Sequence, residues 1–223
     1  MSVFRRGAWR PWAGLFLPVL AWLAADLLLR RALLCCAWGL GLTDEQAGVA
    51  ASAVASALLA PWAVLWNWRD QGLSKETCAC PSPLPALMSL GAGLLLGLAT
   101  ALLLKTPADP ALNGPGWLTA LRTLALCVTG PLCEEAVYRG LVLRRGEALL
   151  GAVPAALLTA ALFAAGHGDI AQLLPAFVAG LAFAAVALCA RRAYPPHWAL
   201  LCPFLCHAAA NAAQLCRILI FHA

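Results

Sequence analysis

Charged side chains are scarce in this chain. Asp, Glu, Lys and Arg together make up 11% of its 223 residues, where soluble domains carry about a quarter. The apolar set AVILMFWYC accounts for 63%, and the 18 glycines raise that to about seven residues in ten, so a water-soluble globule is excluded. A disordered chain is excluded by the same hydrophobicity. The formal charge of +5 is spread thinly between hydrophobic blocks, with no aromatic-rich basic patch, which excludes a nucleic-acid binder. There is no strand alternation, no internal repeat and no low-complexity tract. What is left is an all-α integral membrane protein: a polytopic transmembrane helix bundle of about seven spans, six to eight, forming one membrane domain over 1–223 with no room for a soluble one.

Hydropathy and helix breakers predict helices near 12–36, 46–68, 84–104, 117–148, 151–167, 172–190 and 198–221. Pro81, Pro83 and Pro85, the run from Pro107 to Pro115, and Pro195 with Pro196 mark the loops between them. Arg5, Arg6 and Arg10 precede an apolar run from Trp12 to Leu29 that is too long for a signal-peptide core, so it reads as a retained first span. With the N-terminus cytoplasmic, Arg5, Arg6, Arg10, Arg69, Lys75, Arg144, Arg145, Arg191 and Arg192 lie inside. Arg30, Arg31, Lys105, Arg122 and Arg217 lie outside, a bias that favours this orientation. Of the 10 cysteines, Cys127, Cys133, Cys189, Cys202, Cys206 and Cys216 fall in apolar stretches, where a thiol packs as a small hydrophobe. Cys78 and Cys80 are a candidate metal or redox pair, but no second pair stands at zinc-site spacing.

Ionisable residues inside a membrane are costly and point to function. Three groups stand out. In the run Pro-Leu-Cys-Glu-Glu-Ala-Val-Tyr-Arg-Gly, Arg139 lies one helical turn after Glu135, acid before base, the favourable order for a helical ion pair. Glu134 points elsewhere and is left as an unpaired carboxyl suited to general-base work. Phe163 with His167, and His207 with Asn211, are each spaced by four and share a helix face. A turn near Gly151 makes 134–167 a helical hairpin with Glu134 and His167 each roughly 25 Å from the turn, hence level. Counting inward from Trp198 brings His207 to a similar depth, so three segments deliver polar groups to one plane near the middle of a core about 30 Å thick. His197 and His222 sit at rims, and Asp26 pairs with Arg30 one turn later.

At these residues the chain resembles the CPBP family of glutamate-dependent intramembrane proteases, the group that includes the type 2 CAAX prenyl proteases and bacterial proteins linked to bacteriocin immunity. The family's ordered motifs stand here as Glu134-Glu135-Ala-Val-Tyr-Arg139, Phe163-Ala-Ala-Gly-His167 and His207-Ala-Ala-Ala-Asn211, within a core of about 117–215. The resemblance implies peptide-bond hydrolysis without a metal or other cofactor, in the bacterial cytoplasmic membrane. Glu134 and His167 would activate a water, His207 and Asn211 would stabilise the oxyanion, and Glu135, Arg139 and Phe163 would support them. The implied partners are the lipid bilayer and a membrane-anchored protein or peptide substrate. Pro131 and Gly130 would bend or open the helix just before Glu134 and admit water. Two other readings use the same residues. One makes Glu134, Glu135, His167 and His207 zinc ligands, although no His-Glu-x-x-His is present and Arg139 beside the acids disfavours a cation. The other is an immunity or scaffold protein, or a small transporter, that binds without cleaving.

Overall fold

The computed structural model describes residues 9–71, 82–103, 115–167 and 170–221. Arg5, Arg6, the Arg10 side chain, Lys75, Cys78, Cys80, Pro81, Lys105, Pro107, Pro110 and His222 lie outside the described residues. Every regular element among the described residues is helical, as the absence of strand alternation predicts. The bundle comprises α1 (Trp9–Gly39), α2 (Asp44–Gln71), α3 (Leu84–Leu103), α4 (Gly116–Leu150), α5 (Ala152–Ala165), α6 (Ile170–Ala193) and α7 (Trp198–Phe221). All but α5 are long and apolar enough to cross a membrane. Helix α5 has 14 residues, about 21 Å of rise, and stops short of a full span.

Local chemistry sets the boundaries. Gly41 takes φ +77 between α1 and α2, a conformation that glycine adopts without strain. Thr43 then caps α2 reciprocally with Gln46, its hydroxyl accepting from the Gln46 N–H at 3.4 Å while the Gln46 side chain accepts from the Thr43 N–H at 3.2 Å. This is a capping box. Gly151, at φ +86, makes the predicted reversal between α4 and α5.

Large apolar side chains face outward, with Leu28 69%, Leu95 71% and Leu102 74% exposed. Such a surface is stable against lipid rather than water. The inward contacts rely on small residues, as packing between membrane helices does. A Cβ at Gly93 would clash with the Cys206 carbonyl and stand 2.9 Å from Ala209 Cβ, and one at Gly97 would clash with the Ala210 carbonyl and stand 2.8 Å from Ala213 Cβ. The α3 and α7 backbones therefore touch beside His207 and Asn211. Gly91, two residues before Gly93 on another face of the helix, has open space around its Cβ position. We expect Gly97→Ala to cost about 1–3 kcal/mol and Gly91→Ala to cost nothing, as read from unfolding midpoints in detergent.

Charges gather at one end of the bundle. Asp70 on α2 pairs with Arg144 and with Arg145, the latter at 2.8 Å. Glu147 pairs with Arg191 at 2.7 Å and Arg192 at 3.8 Å. Arg145 also donates to the Gly14 carbonyl near the start of α1. The four arginines that the charge bias assigns to one side do share an end, and the start of α1 lies with them.

Candidate active site

The site begins with an irregularity in α4. Its backbone is α-helical over Gly116–Leu124, π-helical over Ala125–Thr129, α-helical over Gly130–Glu135, π-helical over Ala136–Leu143 and α-helical again over Arg144–Leu150. The first π turn follows from two residues. The Gly130 N–H reaches back five residues to the Ala125 carbonyl, and a Cβ at Gly130 would sit 2.6 Å from that oxygen. In this register the Leu126 carbonyl falls to residue 131, which is proline and has no N–H to give. An orphaned carbonyl at membrane depth needs another donor. Asn211 supplies it, with Nδ2 donating to Leu126 O at 2.7 Å. Along the second π stretch, arginine side chains also donate to backbone carbonyls, Arg191 to Arg139 O at 3.3 Å and Arg144 to Gly140 O at 3.1 Å. Pi-type interruptions of this kind occur often at functional sites.

Between the two π stretches the regular turn sends the adjacent acids to different surroundings. Glu135 is wholly buried, whereas the Glu134 side chain is 26% exposed. Arg139 Nη1 donates to Glu135 Oε1 at 3.1 Å, the predicted pair, and its Nη2 donates to the Gly180 carbonyl on α6 at 2.9 Å. Its guanidinium lies 4.6 Å from the Phe163 ring centre and 5.4 Å from that of Phe183, within the range of cation–π attraction.

His207 joins the two acids. Its Nδ1–H donates to Glu135 Oε1 at 2.9 Å, and its Nε2 stands 3.7 Å from Glu134 Oε2. A carboxylate can only accept, so Glu135 fixes which ring nitrogen faces inward and which faces Glu134. The ring stacks on Phe183, with centroids 4.4 Å apart at 20°, and meets the edge of Phe163 at 5.7 Å.

His167 departs from its predicted setting. The sequence predicts a helix through 167, but α5 ends at Ala165 and His167 lies in the following turn. It keeps company with Phe163 nonetheless, at 4.7 Å between ring centres. The last carbonyls of a helix have no partners within it, and His167 Nδ1 donates to one of them, Phe163 O, at 2.9 Å. Its Nε2 is thereby left as the nitrogen available for other chemistry. Because α5 stops short of a full span, its C-terminal end lies at membrane depth, a setting that irregular backbone occupies only beside protein or a wet cavity.

Such a cavity is present. It has a volume of about 840 Å³, and Glu134, His167, His207 and Asn211 all line it, with Phe163 in its wall. Glu135 and Arg139 are buried behind the wall. The three predicted groups thus converge. Among the described residues no three His, Cys, Asp or Glu side chains form a group able to hold a metal ion. Three features escape the sequence reading. Phe183 carries no spacing signal that links it to His207. Arg30 pairs with Asp26 at 2.7 Å as predicted, yet it also lines the cavity. Ser56 and Thr129 hydroxyls meet at 2.6 Å, and Cys133 donates to the Ser56 carbonyl, stitching α2 to the π turn. A small residue at matched depth in each helix is the only trace of that stitch in the sequence.

Comparison with known proteins bears on the same stretch. Residues 116–213 match the family described as type II CAAX prenyl endopeptidase Rce1-like. No curated protein and no solved structure matches the chain. The matched residues, a little under half of the chain, run from the start of α4 to just past Asn211 and carry all three motifs. Over this segment the chain is similar to the Rce1-like family of CAAX proteases, in agreement with the motifs Glu-Glu-x-x-x-Arg, Phe-x-x-x-His and His-x-x-x-Asn.

Proposed function

We propose that this protein is an intramembrane endopeptidase that hydrolyses a peptide bond in a membrane-embedded or lipidated segment through a water activated by Glu134. The observation that carries the reading is the division of labour between adjacent acids. Glu135 is bound to Arg139 and His207 behind the cavity wall, while Glu134 faces the cavity alongside His167, His207 and Asn211. Glu134 takes a proton from the water, which His167 Nε2 helps to orient, and the resulting hydroxide attacks the substrate carbonyl. The second Nδ2 hydrogen of Asn211 donates to the developing oxyanion, and a doubly protonated His207, with Nδ1–H held by Glu135, donates to it through Nε2–H. The proton held by Glu134 then passes to the leaving amine, which returns the carboxylate and releases two peptides. The hydrogen bond from Asn211 Nδ2 to the Leu126 carbonyl fixes the amide before substrate arrives, so no reorganisation is spent during the reaction.

The zinc reading needs both glutamates as ligands, and Glu135 Oε1 is already shared by Arg139 and His207. We therefore favour a metal-independent reaction. The substrate class that fits the family is a lipidated C-terminal segment whose apolar tail enters from the bilayer. With the arginine-rich end of the bundle and the start of α1 on one side, we assign that side to the cytoplasm.

The test is cleavage of a quenched fluorescent peptide ending in an S-farnesylated Cys-a-a-X sequence by purified protein after exhaustive chelation. We expect the rate to be unchanged by chelation. Loss of activity restored by Zn²⁺ would support the zinc reading, and tight binding without cleavage would support the scaffold reading.

A further inference from the structure

The glycine before His167 is not explained by its backbone. Gly166 has φ −68 and ψ −16, right-handed values that any residue adopts. What it lacks is room for a side chain. A Cβ there would stand 2.9 Å from the Tyr138 hydroxyl and 3.4 Å from the Phe163 carbonyl, the same carbonyl that accepts from His167 Nδ1. The hydroxyl therefore rests against the turn that carries His167. It also donates to the Leu162 carbonyl at 3.5 Å, long for an O–H···O bond, so the contact acts chiefly through shape.

We propose that Tyr138 is a positioning residue, a strut from the helix of Glu134 to the turn of His167 that keeps the two at the separation a catalytic water needs; this rests on the proteolytic reading above. Tyr138 follows Glu134 by four residues on α4, and both line the cavity, so the base and the strut share one helix. The strut cannot yield sideways. Tyr138 is 1% exposed, and its ring is met edge-on by Trp22 at 5.8 Å and by Phe163 at 5.5 Å between centroids. Nor can the body of α5 retreat, because Phe163 packs against α6 so closely that a Cβ at Gly180 would sit 3.2 Å from its ring. What is left to move is the exposed turn itself, Gly166 and His167. An atom added between hydroxyl and turn displaces His167 relative to Glu134, and an atom removed makes room for the turn to settle closer to α4. Tyr138→Phe removes one oxygen from this contact and Gly166→Ala adds one carbon, so the two changes offset each other in volume.

The experiment is a double-mutant cycle of these two substitutions. It is read by steady-state kinetics on the farnesylated peptide and by the NMR signals of the His167 ring in detergent, assigned with His167→Gln. We expect Gly166→Ala to lower kcat about tenfold or more with KM little changed, as misplacement of a reacting group does, and to shift the His167 signals. The double variant should recover both, with kcat within about threefold of wild type. A merely structural effect of the alanine would lower the folded fraction and leave the His167 signals of folded molecules in place, and that result overturns the strut. So does a double variant no better than Gly166→Ala alone, or Gly166→Ala with wild-type kcat and unshifted signals. If Gly166→Ala does not fold, the double variant decides: wild-type-like His167 signals support the strut, and displaced signals or an unfolded protein overturn it. If the wild type cleaves no peptide, the proteolytic reading fails, and the His167 signals across the cycle still decide the strut.

Discussion

Glu134→Gln is expected to lower kcat by about a thousandfold, within the 10²–10⁴ range that a positioned general base contributes. The amide keeps the size and most of the hydrogen-bonding geometry of the acid but cannot take a proton from water. Glu134 faces a cavity, and the His207 imidazole stands 3.7 Å from it, beyond hydrogen-bond reach. The substitution therefore strands no charge, and its effect on stability should stay within about 0.5 kcal/mol. Steady-state kinetics on the farnesylated peptide, with an unfolding midpoint on the same preparation, separates the two effects. A variant with wild-type kcat would remove the acid from the chemistry.

Arg139→Ala is expected to have the largest effect on stability, a loss of about 3–5 kcal/mol, as when one partner of a buried ion pair is removed. Both side chains are wholly buried. Without the guanidinium, Glu135 keeps only the His207 bond, the Gly180 carbonyl loses its donor and the faces of Phe163 and Phe183 lose a cation. Activity falls as well, because Glu135 orients His207. Adding Glu135→Gln removes the uncompensated charge, so the double variant should be less destabilised than the sum of the single ones. Urea or thermal unfolding in detergent measures the difference. A loss of less than about 1 kcal/mol for Arg139→Ala would mean that the pair carries no structural weight.

Much of this arrangement is legible in the sequence, for identifiable reasons. Hydropathy finds each long helix because lipid demands an unbroken apolar run. The Glu135–Arg139 and Asp26–Arg30 pairs follow from spacing alone, since helical geometry brings residues four apart together. The convergence of Glu134, His167 and His207 follows from counting rise along helices joined at a glycine turn. What the sequence hides is the consequence of backbone register. Pro131 signals a disturbed helix, but only the coordinates show that a π turn orphans the Leu126 carbonyl and that Asn211 satisfies it. The end of α5 at Ala165 is hidden for a related reason, because Gly166 and His167 continue the spacing of the helix even though the backbone leaves it. The stacking of Phe183 on His207 depends on the rotation of α6 about its axis, which its uniformly apolar sequence does not encode.

The two acids side by side also explain why neither is redundant. Glu135 completes a buried chain from Gly180 through Arg139 to His207, and that chain holds the imidazole whose other nitrogen faces Glu134. On the proposed mechanism the same backbone turn supplies both the rigid support and the reactive carboxylate. Rigid support close to the reacting groups is what a preorganised electrostatic site requires.

The most direct measurement is mass spectrometry of peptides released from native membranes that carry either the wild-type protein or Glu134→Gln at equal abundance. The account predicts new termini a few residues from the C-termini of membrane-anchored proteins with the wild type and none with the variant. The same termini at the same abundance from both would contradict it.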